Sequence, residues 1–131
     1  MLLVTTQPMA PICNALHVAL LVSDLTQAEQ FYEQVLGVGP APRAHNITGE
    51  WYKKGDVKIK QNVAEQHTAP IVNRDRWGRN PHLALAVADL AEMHHRLEAH
   101  QCPIQTSRSG RAALFTQDPD GNVIELSQLS P

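Results

Sequence analysis

The sequence has no surplus of charge of either sign: 11 Lys and Arg stand against 13 Asp and Glu, a formal net charge of −2. That balance excludes the broad basic footprint of a nucleic-acid binder. No apolar run approaches the roughly 20 residues a membrane-spanning helix needs. The first eleven residues carry a short apolar stretch, two prolines and no basic leader, so they do not read as an export signal. A cytoplasmic location is expected. Cysteine is scarce, and Cys13 and Cys102 are isolated thiols without a CxxC pattern, expected to be reduced and to serve as packing residues. There is no low-complexity tract, and 131 residues suit one domain with a sizeable core.

What is present is a repeat. His17-Val-Ala-Leu-Leu-Val-Ser-Asp-Leu25 returns as His82-Leu-Ala-Leu-Ala-Val-Ala-Asp-Leu90, with the His, Ala, Leu, Val, Asp and Leu positions matched. A period of this kind marks two copies of one supersecondary unit. In each copy the apolar run predicts a strand, and that from Leu16 to Val22 is continuous enough to predict burial on both faces. Alternation puts His17, Ala19 and Leu21 on one face, and His82, Ala84, Ala86 and Ala88 on the equivalent one. That second face is alanine apart from its histidine, which leaves space beside the imidazole.

Asp24 and Asp89 read as helix N-caps, with Gln27 and Glu92 three residues on completing capping boxes. Leu25, Ala28, Phe31, Tyr32, Val35 and Leu36 form one apolar stripe closed by Gly37; Leu90, Met93 and Leu97 form the other, with Pro103 barring continuation. Short strands are predicted at 43–48, 50–54 and 57–63 in the first copy, and at 104–107, 112–117 and 122–126 in the second. The turn Asp118-Pro-Asp-Gly121 joins the last two. Each copy is then β-α-β-β-β: a first module over about 15–63, a polar linker over about 64–81 in which Arg74, Arg76 and Arg79 read as solvated, and a second module over about 82–128.

Two equivalent strand histidines offer neutral nitrogen ligands, and a divalent cation also wants a carboxylate. Glu125 is the candidate. It lies between Ile124 and Leu126 and shares a face with Val123 and Ser127, and a half-buried glutamate is costly unless paired or metal-bound. His17, His82 and Glu125 would leave open coordination positions suited to Fe, Mn, Zn, Ni or Co. A strand histidine taken alone is usually a hydrogen-bonded core residue; the duplication raises the case for ligation. His94, His95 and His100 on the second helix, and His45 and His67 in loops, are set aside as solvated.

These segments together resemble the vicinal-oxygen-chelate superfamily, which holds glyoxalase I, extradiol dioxygenases, fosfomycin-resistance thiol transferases and bleomycin-resistance proteins. The resemblance runs from Ala15 to Gln128. It rests on the His17–Leu25 segment, Phe31-Tyr32 with Leu36-Gly37, Pro81-His82-Leu-Ala-Leu, and above all Asp118-Pro-Asp-Gly-Asn-Val-Ile-Glu-Leu126. It implies an α+β, glyoxalase-like fold in which two tandem β-α-β-β-β modules curl their mixed sheets into a cup-like half-barrel around a divalent metal. Family ligands fall on the first and last strands of each module, here His17, His82 and Glu125. The fourth position, Glu or His in many relatives, matches Lys60, and an ammonium cannot ligate a cation. A three-ligand site, a one-residue change of register presenting Gln61, and Lys60 as a substrate contact are the alternatives.

The expected function is a metal-dependent enzyme acting on a small oxygen-rich substrate, of lyase/isomerase, thiol-transferase or dioxygenase type. Glu125 would be its catalytic ligand, with Lys60, Trp51 and Arg111 at the substrate. Lys60 argues against a glyoxalase I-like isomerisation, which needs a carboxylate base. The alternative is a metal-free drug- or metabolite-binding protein of the bleomycin-resistance type. Small single-chain relatives dimerise, so a homodimer is expected, with ligands from one chain or two.

Overall fold

The computed structural model describes residues 11–39, 51–54, 57–64 and 69–129, with the backbone alone at 51–57 where described. The first module supplies strand β1 (His17–Val22), helix α1 (Leu25–Glu29), and strands β2 (Trp51–Lys54) and β3 (Val57–Val63). The second supplies β4 (His82–Val87), helix α2 (Leu90–Ala99), β5 (Ile104–Thr106), β6 (Ala113–Gln117) and β7 (Val123–Gln128). The expected strand at 43–48 lies outside the described residues, as do His45 and His67.

The strands form two open sheets of the same plan, β1-β3-β2 and β4-β7-β6-β5. In each, the first strand pairs in parallel with the last, β1 with β3 and β4 with β7, while the remaining neighbours run antiparallel. One face of each sheet turns inward. Val22, Ile59, Leu114, Ile124 and Leu126 join Ala28, Phe31, Tyr32, Val35 and Leu97 from the helices in one buried cluster.

Both caps form as the sequence predicts: the Asp24 and Asp89 side chains accept from the Gln27 and Glu92 backbone N–H groups at 3.0 and 3.1 Å. The first helix departs from expectation in its second half, where α1 widens into a π-helical segment, Gln30–Val35. The wider turn buries the adjacent Phe31 and Tyr32 together, their rings edge to face at 5.0 Å. Gly37, at φ +78°, closes it.

Two expectations are corrected. β1 is buried on one face only, because Val18, Leu20 and Val22 turn to the core whereas His17, Ala19 and Leu21 are exposed. A single chain supplies a helical cover for one side of the sheet, so the apolarity of the other side is not used within it. Cys13 is exposed and is not a packing residue; Cys102 does pack against the core, and burial pushes its thiol pKa up.

The modules are joined by a polar clasp around Asp118, 4% exposed. Its Oδ1 accepts from the backbone N–H groups of Asp120 and Asn122, and its Oδ2 from Asn122 Nδ2 and the Tyr32 hydroxyl, at 2.8–2.9 Å. Asn122 Nδ2 also donates to the Leu21 carbonyl of β1 at 2.9 Å. The left-handed turn this needs is made at Gly121, φ +88°.

Candidate functional site

Parallel pairing of β4 with β7 places His82 opposite Val123 and Ala84 opposite Glu125. Partners in register share a sheet face, so His82 and Glu125 are diagonal neighbours, about 7 Å apart by ordinary sheet spacing. Phe115 of β6 pairs with Glu125 and joins the same face. Its ring meets the His82 imidazole edge to face, 5.6 Å between centroids. His82, Ala84 and Ala86 are exposed, so the predicted space beside the imidazole is there.

His82 Nδ1 lies 2.7 Å from the Asn80 carbonyl. A carbonyl only accepts, so Nδ1 carries the proton and the neutral ring keeps its lone pair on Nε2. Asn80 is itself fixed. Its Oδ1 accepts from the Val72 and Asn73 N–H groups, and its Nδ2 donates to the carbonyls of Asn73, Arg76 and Trp77. This orienting residue escaped the sequence reading. The signal was Pro81, which drives the residue before it into extended backbone and so turns the Asn80 carbonyl toward the ring two positions on.

Glu125 is 8% exposed, and its charge is already answered. Arg111 Nη2 donates to Oε1 at 3.1 Å and Ser127 Oγ to Oε2 at 3.3 Å, while Arg111 Nε is held by Ser109 Oγ at 3.0 Å. Arg111 therefore reaches the site, through Glu125.

In the first module His17 pairs with Lys58 and Ala19 with Lys60. Lys60 thus shares the His17 face, whereas Gln61 is fully buried on the opposite one, which decides between the two registers. Trp51 opposes Lys60 across β2 and β3. A cleft of about 380 Å³ runs between β1 and β4, with His82 but not His17 in its wall. The structure brings His82, Glu125 and Arg111 onto one face and leaves His17 on another. Among the described residues no three His, Cys, Asp or Glu side chains come together as a metal-binding group.

The donor chemistry nonetheless fits a divalent cation in part: an imidazole nitrogen with a fixed tautomer and a carboxylate on the neighbouring strand.

The family model of the Glyoxalase/Bleomycin resistance protein/Dioxygenase superfamily matches residues 14–126. The chain belongs to that superfamily. No curated protein matches its sequence significantly. Among solved structures, a protein from Bacillus anthracis assigned to the glyoxalase family superposes with a TM-score of 0.74 at 22% identity, covering 92% of this chain and 98% of its own. An antibiotic-binding protein from a Streptomyces species gives 0.66 at 22% identity, covering 92% and 99%. A lactoylglutathione lyase from Agrobacterium tumefaciens gives 0.62 at 21%, covering 91% and 96%. The superfamily's α+β, glyoxalase-like architecture is therefore the fold of this chain. No helix among the described residues is long and apolar enough to cross a membrane.

Proposed function

We propose that this superfamily member is a divalent-metal-dependent enzyme acting on a small oxygen-rich substrate, with His17, His82 and Glu125 holding the cation. The observation that carries the reading is the Asn80–His82 contact: it commits Nδ1 and leaves the Nε2 lone pair to a ligand, on the sheet face that also carries Ala84 and Glu125. When bound, Fe, Mn, Zn, Ni or Co would act as a Lewis acid toward substrate oxygens. The chain's own residues do the rest. Asn80 holds the tautomer, Glu125 supplies negative charge, and Ala84 and Ala86 leave room for substrate. Trp51, Lys60 and Arg111 are its candidate contacts. Lys60 in place of an acid favours chemistry without a second carboxylate base.

His17 stands on the open face of β1, so the reading requires two copies, His17 of one completing the His82–Glu125 pair of the other. Exposed Leu16 and Leu21 on β1 and beside it support a homodimer that covers this face.

Elemental analysis of protein purified without chelator or nickel affinity resin, followed by metal titration of the apo form, tests the reading. Stoichiometric metal supports it; none bound and none taken up at micromolar concentration refutes it.

One observation favours a second reading, a metal-free binder of a drug or metabolite. The Arg111–Glu125 ion pair neutralises the carboxylate without a metal ion, and one structural neighbour binds an antibiotic. Ligand binding by protein devoid of metal would favour it.

A further inference from the structure

The linker arginines and the arginines before β6 are far apart in sequence, yet they meet. Arg76, Arg79, Arg108 and Arg111 line one small cavity with Ser107 and Ser109, and Phe115 of the His82 face forms its floor. No acid lines it. Arg111 is committed to Glu125. Arg76, Arg79 and Arg108 have no carboxylate partner among the described residues, which leaves three uncompensated guanidinium groups at one place in a chain of net charge −2.

The arrangement is built rather than fortuitous. The turn Trp77–Arg79 is pinned to β5 by Gln105, whose Oε1 accepts from the Trp77 N–H at 2.8 Å and whose Nε2 donates to the Asp75 carbonyl at 3.0 Å. Buried Asn80 ties the other side of the turn to Asn73, Arg76 and Trp77. Gly78 lies so close to the Phe115 ring that a Cβ there would sit 2.6 Å from Cζ. A solvated linker needs none of these attachments. The four arginine side chains are exposed, and an anion entering between them would offset the mutual repulsion that their shared placement imposes.

We infer that this cavity is a subsite for a compact oxyanion carrying two negative charges, borne by the substrate and docked beside the His82–Glu125 face. At about 160 Å³ it matches a small ionic group better than a drug-sized ligand, for which sites begin near 300 Å³. Guanidinium forks match tetrahedral or paired oxygens bidentately, and the Ser107 and Ser109 hydroxyls add donors. The inference rests on reading that face as the substrate site, but the subsite itself contains no metal ligand.

The test is calorimetric titration of the metal-free full-length protein with inorganic phosphate at constant ionic strength. Saturable binding at one site is expected, with Kd near 1 mM or tighter. Arg76→Gln and Arg79→Gln should each weaken it about tenfold, the loss of one charged hydrogen-bonding group. Arg79→Lys should fall between, since it keeps charge and loses the fork. Arg74→Gln, in the same loop but outside the cavity, should leave Kd unchanged.

Absence of saturable binding, equal weakening by Arg74→Gln, or binding seen only after metal is added would each overturn the subsite. Failure of the protein to take up metal would refute the proposed enzyme and leave this result readable.

Discussion

Replacing Tyr32 by Phe removes one hydroxyl and nothing else, and it isolates the clasp between the modules. The hydroxyl donates at 2.8 Å to Asp118 Oδ2, both residues being essentially excluded from solvent. Three donors to the carboxylate remain, so the loss is that of one hydrogen bond to a charged group, about 1.5–3 kcal/mol. For 131 residues at about 2.1 cal/mol/K each, the unfolding entropy is roughly 0.28 kcal/mol/K, which converts the loss to a fall in Tm of about 5–11 °C. Burial is the dominant influence on Asp118 and raises its pKa above the model-compound 3.8, the four hydrogen bonds opposing it. The folded state therefore holds this proton more tightly than the unfolded state does. Its contribution to stability declines as pH rises from about 3.8 to the raised folded value, and is constant above that. Removing the Tyr32 donor raises the folded pKa further. The variant's deficit should thus be full above its own raised folded pKa and shrink as pH falls through the variant and wild-type folded values, both of which lie above 3.8. Thermal unfolding followed by circular dichroism, at fixed protein concentration between pH 3 and pH 8, measures both effects. A Tyr32→Phe protein within about 0.5 kcal/mol of wild type at pH 7, or a deficit that grows in acid, would refute the account of the clasp.

Other outcomes follow from the same geometry. His82→Ala should abolish metal uptake in the elemental assay and leave the far-ultraviolet circular dichroism unchanged, because the side chain is exposed; retained stoichiometry would remove His82 from the site. Gly78→Ala forces a Cβ against the Phe115 ring and should cost about 1–3 kcal/mol in chemical denaturation, whereas a neutral result would show that the turn is not seated on the ring. Light scattering should report a dimer, and Leu21→Asp, on the open face of β1, should shift it toward monomer; a monomeric wild type would leave His17 without the other two ligands.

The fold was legible because its rules are local. The His-x-Ala-Leu-x-Val-x-Asp-Leu repeat, the two aspartate caps and the Asp118–Gly121 turn each depend on neighbours within a few residues, and all are found where the sequence places them. The widening of α1 was not legible, since it answers to the packing of Phe31 and Tyr32 against the rest of the core. Of the candidate site, alternation grouped Glu125 with Val123 and Ser127, and His82 with Ala84 and Ala86, and only the pairing register then made the two groups neighbours. The separation of His17 depends on how the modules dock, and no spacing in the chain encodes that.

The sequence by itself determined that the chain is a duplication, which strands carry the histidines and the acid, and which residues share a face with each, because alternation and capping act over single turns and single strands. Only the tertiary structure decided that Lys60 and not Gln61 faces with His17, and that Arg111 is drawn to Glu125. It alone brought Arg76 and Arg79 from the linker against Arg108 and Arg111. Those outcomes depend on pairing register and on side chains reaching across 14 to 30 or more positions, distances at which the order of residues says nothing until the chain has folded.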